Sequence, residues 1–220
     1  PLFFVMSGFL LYRPWVRAAL EGRPSPRISR YAVRRFGRIM PLYVVVVVAT
    51  LTLLPEIQPV PASQWVIHLL GLQIYSFGPL EGLTQTWSLC TEISFYVALP
   101  VIGALALGRR RRSTDSALRR QVWVLGGMAV VALVWNIPLQ TSGRFPYVAS
   151  FWLPGFLDWF AAGMALAVID VRRRLPNPGR VVSFLAWFGR EQVTCLIMAC
   201  AVFAIAVTPI LSWISRSAMR

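Results

Sequence analysis

The chain has 220 residues, 57% of them hydrophobic and only 14% charged, with a formal charge of +14 and a mean hydropathy of +0.62. About a quarter of the residues of a soluble domain are charged, so the composition excludes that class and places the chain in a bilayer. All 22 cationic side chains are arginines, lying mostly between apolar runs; they mark membrane sidedness and give no sign of a nucleic-acid partner.

Length is then counted in crossings of about 20 residues each, which predicts an all-α, polytopic transmembrane helical bundle of about six to seven membrane segments. Residues 1 to 12, "PLFFVMSGFLLY", are apolar but too short to span, and read as the second half of a spanning helix whose start lies upstream. No basic region precedes them and no small-residue cleavage site follows, so a signal peptide fits poorly. Further apolar stretches run over 39 to 54, 65 to 77, 86 to 107, 121 to 139, 148 to 170 and 183 to 213.

The arginines alternate between these stretches. Segment 13 to 38 holds eight, 109 to 120 holds six and 172 to 180 holds four, against none in 55 to 64, none in 78 to 85 and one in 140 to 147. The positive-inside rule makes the first three segments cytoplasmic. Residues 65 to 77 then have arginine-free flanks on both sides and should not cross; thirteen helical residues rise only about 20 Å, short of a core about 30 Å thick. A re-entrant or interfacial segment is expected there. Stretch 183 to 213 reads as an interfacial turn carrying Arg190 and Glu191, followed by a crossing from about 193 that leaves Arg216 and Arg220 against the rule.

Three polar features interrupt the apolar pattern. In "YAVRRFGRIMPLY", Arg35 and Arg38 are three apart and share a helix face, with Arg34 beside them. Their planar guanidinium forks suit phosphate oxygens, yet arginines also anchor membrane helices; charge alone leaves both readings open. In "TWSLCTEISFYVALP", Glu92 lies about five residues inside a span, where an ionised group costs a few kcal/mol near the centre. Ser88 is four residues before it and Tyr96 four after, so this face forms either an interhelical polar network or a site. Asp158, about ten residues into its stretch, is expected near mid-membrane, paired with an arginine or lining the same cavity.

His68, the only histidine, reads as a satisfied or interfacial side chain rather than a general base. Cys90, Cys195 and Cys200 show no metal-ligand spacing and read as packing residues. No phosphate-binding loop, dinucleotide fingerprint or HExxH pair is present, and no metal is expected.

Four stretches together carry a resemblance: "FFVMSGFLL" at 3 to 11, "RRFGRIMPLY" at 34 to 43, "TWSLCTEISFY" at 86 to 96 and "FLDWFAAGMALA" at 156 to 167. In this order and spacing they resemble the bacterial acyltransferase family 3, multi-pass membrane O-acyltransferases that modify cell-surface and secreted glycans. The resemblance implies one membrane acyltransferase-like domain over 1 to 220, incomplete at its N-terminus, with the C-terminal end left open. It implies the bacterial plasma membrane as location. It further implies an acyl group, acetyl most often, taken from acyl-coenzyme A on the cytoplasmic side and passed to a hydroxyl of a carbohydrate or lipid-linked sugar. The family's paired-arginine pattern lands on Arg35 and Arg38, next to Arg34, as partners of the donor phosphates. Its Trp-Ser-Leu-x-x-Glu-x-x-Phe-Tyr motif lands on Trp87, Ser88, Leu89, Glu92, Phe95 and Tyr96, which with Asp158 would shape the substrate cavity.

Two departures accompany the match. Family members carry a histidine base on their first transmembrane helix, and this chain begins after that helix, which leaves Glu92 as the candidate base or as the partner that orients one. The family's late Ser-Tyr-x-x-Tyr-Leu-x-His segment is eroded in "GREQVTCLIMA", with Ala199 at the expected histidine. A fragment of an enzyme and a decayed copy both fit. The rival reading is a non-catalytic membrane protein, a pseudoenzyme or a component that moves acyl groups or glycans.

Overall fold

The computed structural model describes residues 2–55, 59–76, 82–108, 113–141, 145–176, 178–180 and 182–184, with the side chains of 139–141 left aside. Its elements are α1 (Leu2–Leu20), α2 (Ile28–Leu53), α3 (Ala62–Leu69), α4 (Trp87–Leu107), α5 (Thr114–Thr141) and α6 (Leu157–Arg172), joined by short 3₁₀ turns, and no strand occurs among the described residues. Among the described residues, four stretches are long and apolar enough to cross a membrane: Ile28–Leu53, Thr84–Leu107, Thr114–Pro138 and Leu153–Arg172. The chain divides after Val171. In the second unit, the Arg172 guanidinium donates to the Pro176 carbonyl at 3.1 Å. The expected stretch 183 to 213, with Arg190, Glu191 and Ala199, lies outside the described residues beyond 184, as do Arg109 to Arg112, Cys195, Cys200, Arg216 and Arg220.

The arginine-rich segment 13 to 38 is not a loop. Only residues 21 to 27 lie outside a helix: α1 runs to Leu20 and α2 starts at Ile28. Arginine is a good helix former, so charge marks the segment's polarity without breaking its backbone. Pro41 sits inside α2 without ending it.

α1 lies among its neighbours along one stripe, Phe4, Ser7, Gly8, Leu11, Tyr12, Trp15, Val16 and Leu20, all buried, at the i, i+3, i+4, i+7 spacing of one helix face. Two glycines set how closely it meets α6. A Cβ on Gly8 would run into the Phe160 carbonyl, and one on Gly163 would run into Val5, 2.7 Å from its carbonyl carbon. Membrane helices gain stability through such small-residue contacts, because lipid supplies no hydrophobic drive for helices to associate. Gly103 likewise leaves room on α4 for the Trp15 indole.

Several buried polar groups pair between helices. Tyr12 donates to Gln121, which in turn donates to the Ala106 carbonyl, tying α1 to α5 and α4. Near the arginine-rich ends of α1 and α6, Arg13 pairs with Asp170 at 2.7 Å.

α3 has eight residues, about 12 Å of helix, too short to cross. α3 ends in a turn at Gly71, whose φ of +68° suits a residue without Cβ. Tyr43 of α2 fastens this element by donating to the His68 carbonyl at 2.5 Å. The Gln73 amide donates to Tyr43 at 3.2 Å and to Thr86 at 3.0 Å. Beneath it, Tyr43, Val47, Leu51 and Leu83 form an apolar cluster against which Ile39 and Leu89 pack.

Candidate active site

Three helices meet at one polar point. Glu92 lies on the buried face of α4 with Phe95, Tyr96 and Leu99, and only 2% of its surface is exposed. Ser7 faces it from α1 and donates its hydroxyl proton to Glu92 Oε1. Such a bond to an ionised group contributes about 1.5–3 kcal/mol, of the same order as the cost of placing a carboxylate at this depth. The other oxygen, Oε2, is buried with no hydrogen bond at standard geometry among the described residues, in the cavity it shares with Tyr96. Gly8 presses α1 against the Phe160 backbone, and this close approach holds the adjacent Ser7 toward α4.

α2 supplies the cations. Tyr31, in its first turn, donates to the Tyr96 backbone carbonyl at 3.3 Å, which sets the start of α2 against the middle of α4. The arginines that follow therefore sit beside Glu92 rather than at the end of a neighbouring helix. A cavity of about 280 Å³ results, with Ser7, Arg35, Arg38, Glu92 and Tyr96 as its polar lining and Phe3, Met6, Leu89 and Ile39 among its apolar walls. Ile39 and Leu89 also pack against the Tyr43 cluster, so the clamp on α3 and the cavity share a wall. No carboxylate lies within ion-pair distance of Arg35 or Arg38 among the described residues.

The remaining candidates fall elsewhere. Arg34 is exposed on another side of α2 and is absent from the cavity lining. Trp87 packs in an aromatic group, with ring centroids 5.1 Å from Phe151 and 5.5 Å from Phe156. Ser88 donates to the Gln85 carbonyl at 3.2 Å, a bond within its own chain turn. Asp158 does not sit in mid-helix: α6 begins at Leu157, and Asp158 accepts from the Trp159 amide at 2.9 Å. A carboxylate in the first turn is favoured there by the helix dipole. Among the described residues, Asp170 and Glu21 are the carboxylates that pair with arginines, Arg13 and Arg23, and Asp158 is not among them. His68 is fully buried, its Nδ1 2.8 Å from the Gln64 carbonyl oxygen, and is no part of the lining.

Ser7 is the lining residue that sequence reasoning passed over. Its signal was present, as the one hydroxyl on the buried stripe of "FFVMSGFLL", but its partner lies 85 residues away.

The class defined by these features is a helical membrane protein with a cavity of mixed charge between its helices. The acyltransferase domain family, acyltransferase family 3, matches residues 1–217, and the chain belongs to that family. Acyltransferase MdmB of Streptomyces mycarofaciens is 28% identical over 235 aligned residues, covering 94% of this chain and 56% of its own length. Peptidoglycan O-acetyltransferase OatA of Listeria monocytogenes serovar 1/2a (strain ATCC BAA-679 / EGD-e) is 25% identical over 220 residues, covering 90% of this chain and 33% of its own. The chain thus spans about half the length of the first relative and a third of the second. No solved structure matches it.

Proposed function

We propose that this chain carries the transfer site of a multi-pass O-acyltransferase of the bacterial plasma membrane. The reaction moves an acyl group, acetyl in the first instance, from acyl-coenzyme A to a hydroxyl of a carbohydrate or lipid-linked glycan. One observation carries this reading: Arg35, Arg38 and the buried carboxylate of Glu92 line a single cavity, and neither arginine has a carboxylate within ion-pair distance among the described residues. The name of the Listeria relative, a peptidoglycan O-acetyltransferase, supports a glycan acceptor.

Each group has a role. Arg35 and Arg38 offer planar forks to the donor's phosphates and keep their charge at any physiological pH. Glu92 takes the proton of the attacking hydroxyl, the task that acyl transfer to an alcohol requires of a general base. The Tyr96 hydroxyl and the guanidinium groups supply positive potential where the tetrahedral oxyanion develops. The arginine-rich segments face the cytoplasm, where the donor is found, and α3 with its turn at Gly71 forms a re-entrant element on the opposite side.

The test uses membranes containing the full-length protein, incubated with ¹⁴C-acetyl-coenzyme A. Label is expected in the extracted glycan or lipid-linked sugar fraction, together with released coenzyme A. Membranes that release no more coenzyme A and label no more glycan than membranes lacking the protein contradict the reading.

A further inference from the structure

The geometry points to Ser7 as an acyl carrier, a nucleophile that takes the acyl group from the donor as a seryl ester before the acceptor receives it. This rests on the acyl-donor reading above and adds a covalent step to it. Ser7 Oγ donates to Glu92 Oε1, both side chains being buried. A nucleophilic hydroxyl hydrogen-bonded to a fixed base is the arrangement that activates serine. The residue after Ser7, Gly8, meets the Phe160 backbone of α6 where no Cβ would fit, so α1 packs closely beside the Ser7–Glu92 pair.

Cavity size favours a relay. At about 280 Å³ the space is at the small end of sites that hold one small-molecule ligand, about 300–1,000 Å³. A space of that size suits the thioester end of the donor and the reacting part of a sugar in turn. A direct transfer needs both together, whereas an ester on the wall lets the donor leave before the acceptor enters.

The chemistry balances over two half-reactions. In the first, Ser7 Oγ attacks the thioester carbonyl carbon while Glu92 Oε1 takes the hydroxyl proton. The tetrahedral adduct, its oxyanion facing the Arg35, Arg38 and Tyr96 lining, collapses with cleavage of the carbon–sulfur bond. Coenzyme A leaves as the free thiol, carrying the proton that Glu92 returns. In the second, the acceptor hydroxyl attacks the seryl ester carbonyl as Glu92 takes its proton. The carbon–Oγ bond breaks, Glu92 reprotonates Ser7, and the acceptor leaves as the ester.

The experiment incubates the full-length protein with ¹⁴C-acetyl-coenzyme A in detergent without acceptor, denatures it, and counts covalent label alongside released coenzyme A. Wild type is expected to carry label that survives denaturation, is removed by alkaline hydroxylamine and maps to the peptide containing Ser7. Ser7→Ala is expected to lose it. Ser7→Cys is expected to keep label as a thioester, now cleaved by neutral hydroxylamine, and this change in lability tests the position even where the alanine variant does not fold. Wild-type turnover without covalent label, label retained in Ser7→Ala, label mapped to Tyr96, or Ser7→Cys label unchanged in lability each overturns the carrier role. Absence of any coenzyme A release, with or without added membrane glycan, instead overturns the acyl-donor reading, and the carrier falls with it.

Discussion

Replacing Glu92 by Gln is expected to lower acyl transfer by about 10²–10⁴-fold, the usual contribution of a positioned general base, while leaving the helices folded. The substitution keeps the volume of a side chain that is 2% exposed, and its amide oxygen still accepts from Ser7. It removes only the charge and the capacity to take a proton. A Glu92 that merely tied α1 to α4 would behave differently: neutralising a carboxylate within a span relieves a cost of a few kcal/mol and would leave activity near wild type. The measurement is therefore paired, with coenzyme A release from acetyl-coenzyme A set beside thermal unfolding of the purified protein. Activity lost at unchanged or raised stability assigns chemistry to Glu92; activity within about twofold of wild type, against the factor expected of a base, assigns it to structure alone.

The second large effect is on folding. Gly163→Ala is expected to destabilise the protein by about 1–3 kcal/mol, the range for overpacking a tight core, and Gly163→Leu to prevent α1 and α6 from packing as they do. The reason is that the new Cβ meets backbone rather than a mobile side-chain tip, with the Val5 carbonyl carbon 2.7 Å away and the Phe9 amide nitrogen 2.9 Å away. A carbonyl within a helix moves only if the helix moves. Gly126 offers a control on the outer helix α5, since a Cβ there meets nothing within 4 Å. Midpoints of unfolding in detergent, followed for Gly163→Ala and Gly126→Ala, check this. A Gly163→Ala protein as stable as wild type would show that the α1–α6 approach is looser than described.

How far the sequence foretold these features depends on range. The pairing of Arg35 with Arg38 and of Glu92 with Tyr96 is local, set by three- and four-residue helical spacing, and these four side chains do line one cavity. Ser88 has the same spacing from Glu92 but satisfies itself on the Gln85 carbonyl, a choice that periodicity does not show. Asp158 was misplaced because hydropathy reads 148 to 170 as one run. The backbone instead forms 3₁₀ turns over Tyr147–Phe151 and Leu153–Phe156, with Pro146 and Pro154 among the turn residues, before α6 begins. Ser7 and Asp170 were missed for another reason. Each is defined by a partner on a helix far away in sequence, Glu92 for the first and Arg13 for the second, and one sequence holds no record of that distance.

The proposed hold of Arg35 and Arg38 on the acyl donor, beside Glu92, is tested most directly by binding. Radiolabelled acetyl-coenzyme A would be titrated onto membranes containing the full-length protein, wild type beside Arg35→Ala and Arg38→Ala at matched expression. A charge-assisted contact to phosphate is worth about 1.5–3 kcal/mol, so saturable wild-type binding should weaken roughly tenfold or more in each variant. Saturable binding that neither substitution changes would make both arginines anchors of α2 and contradict the donor site.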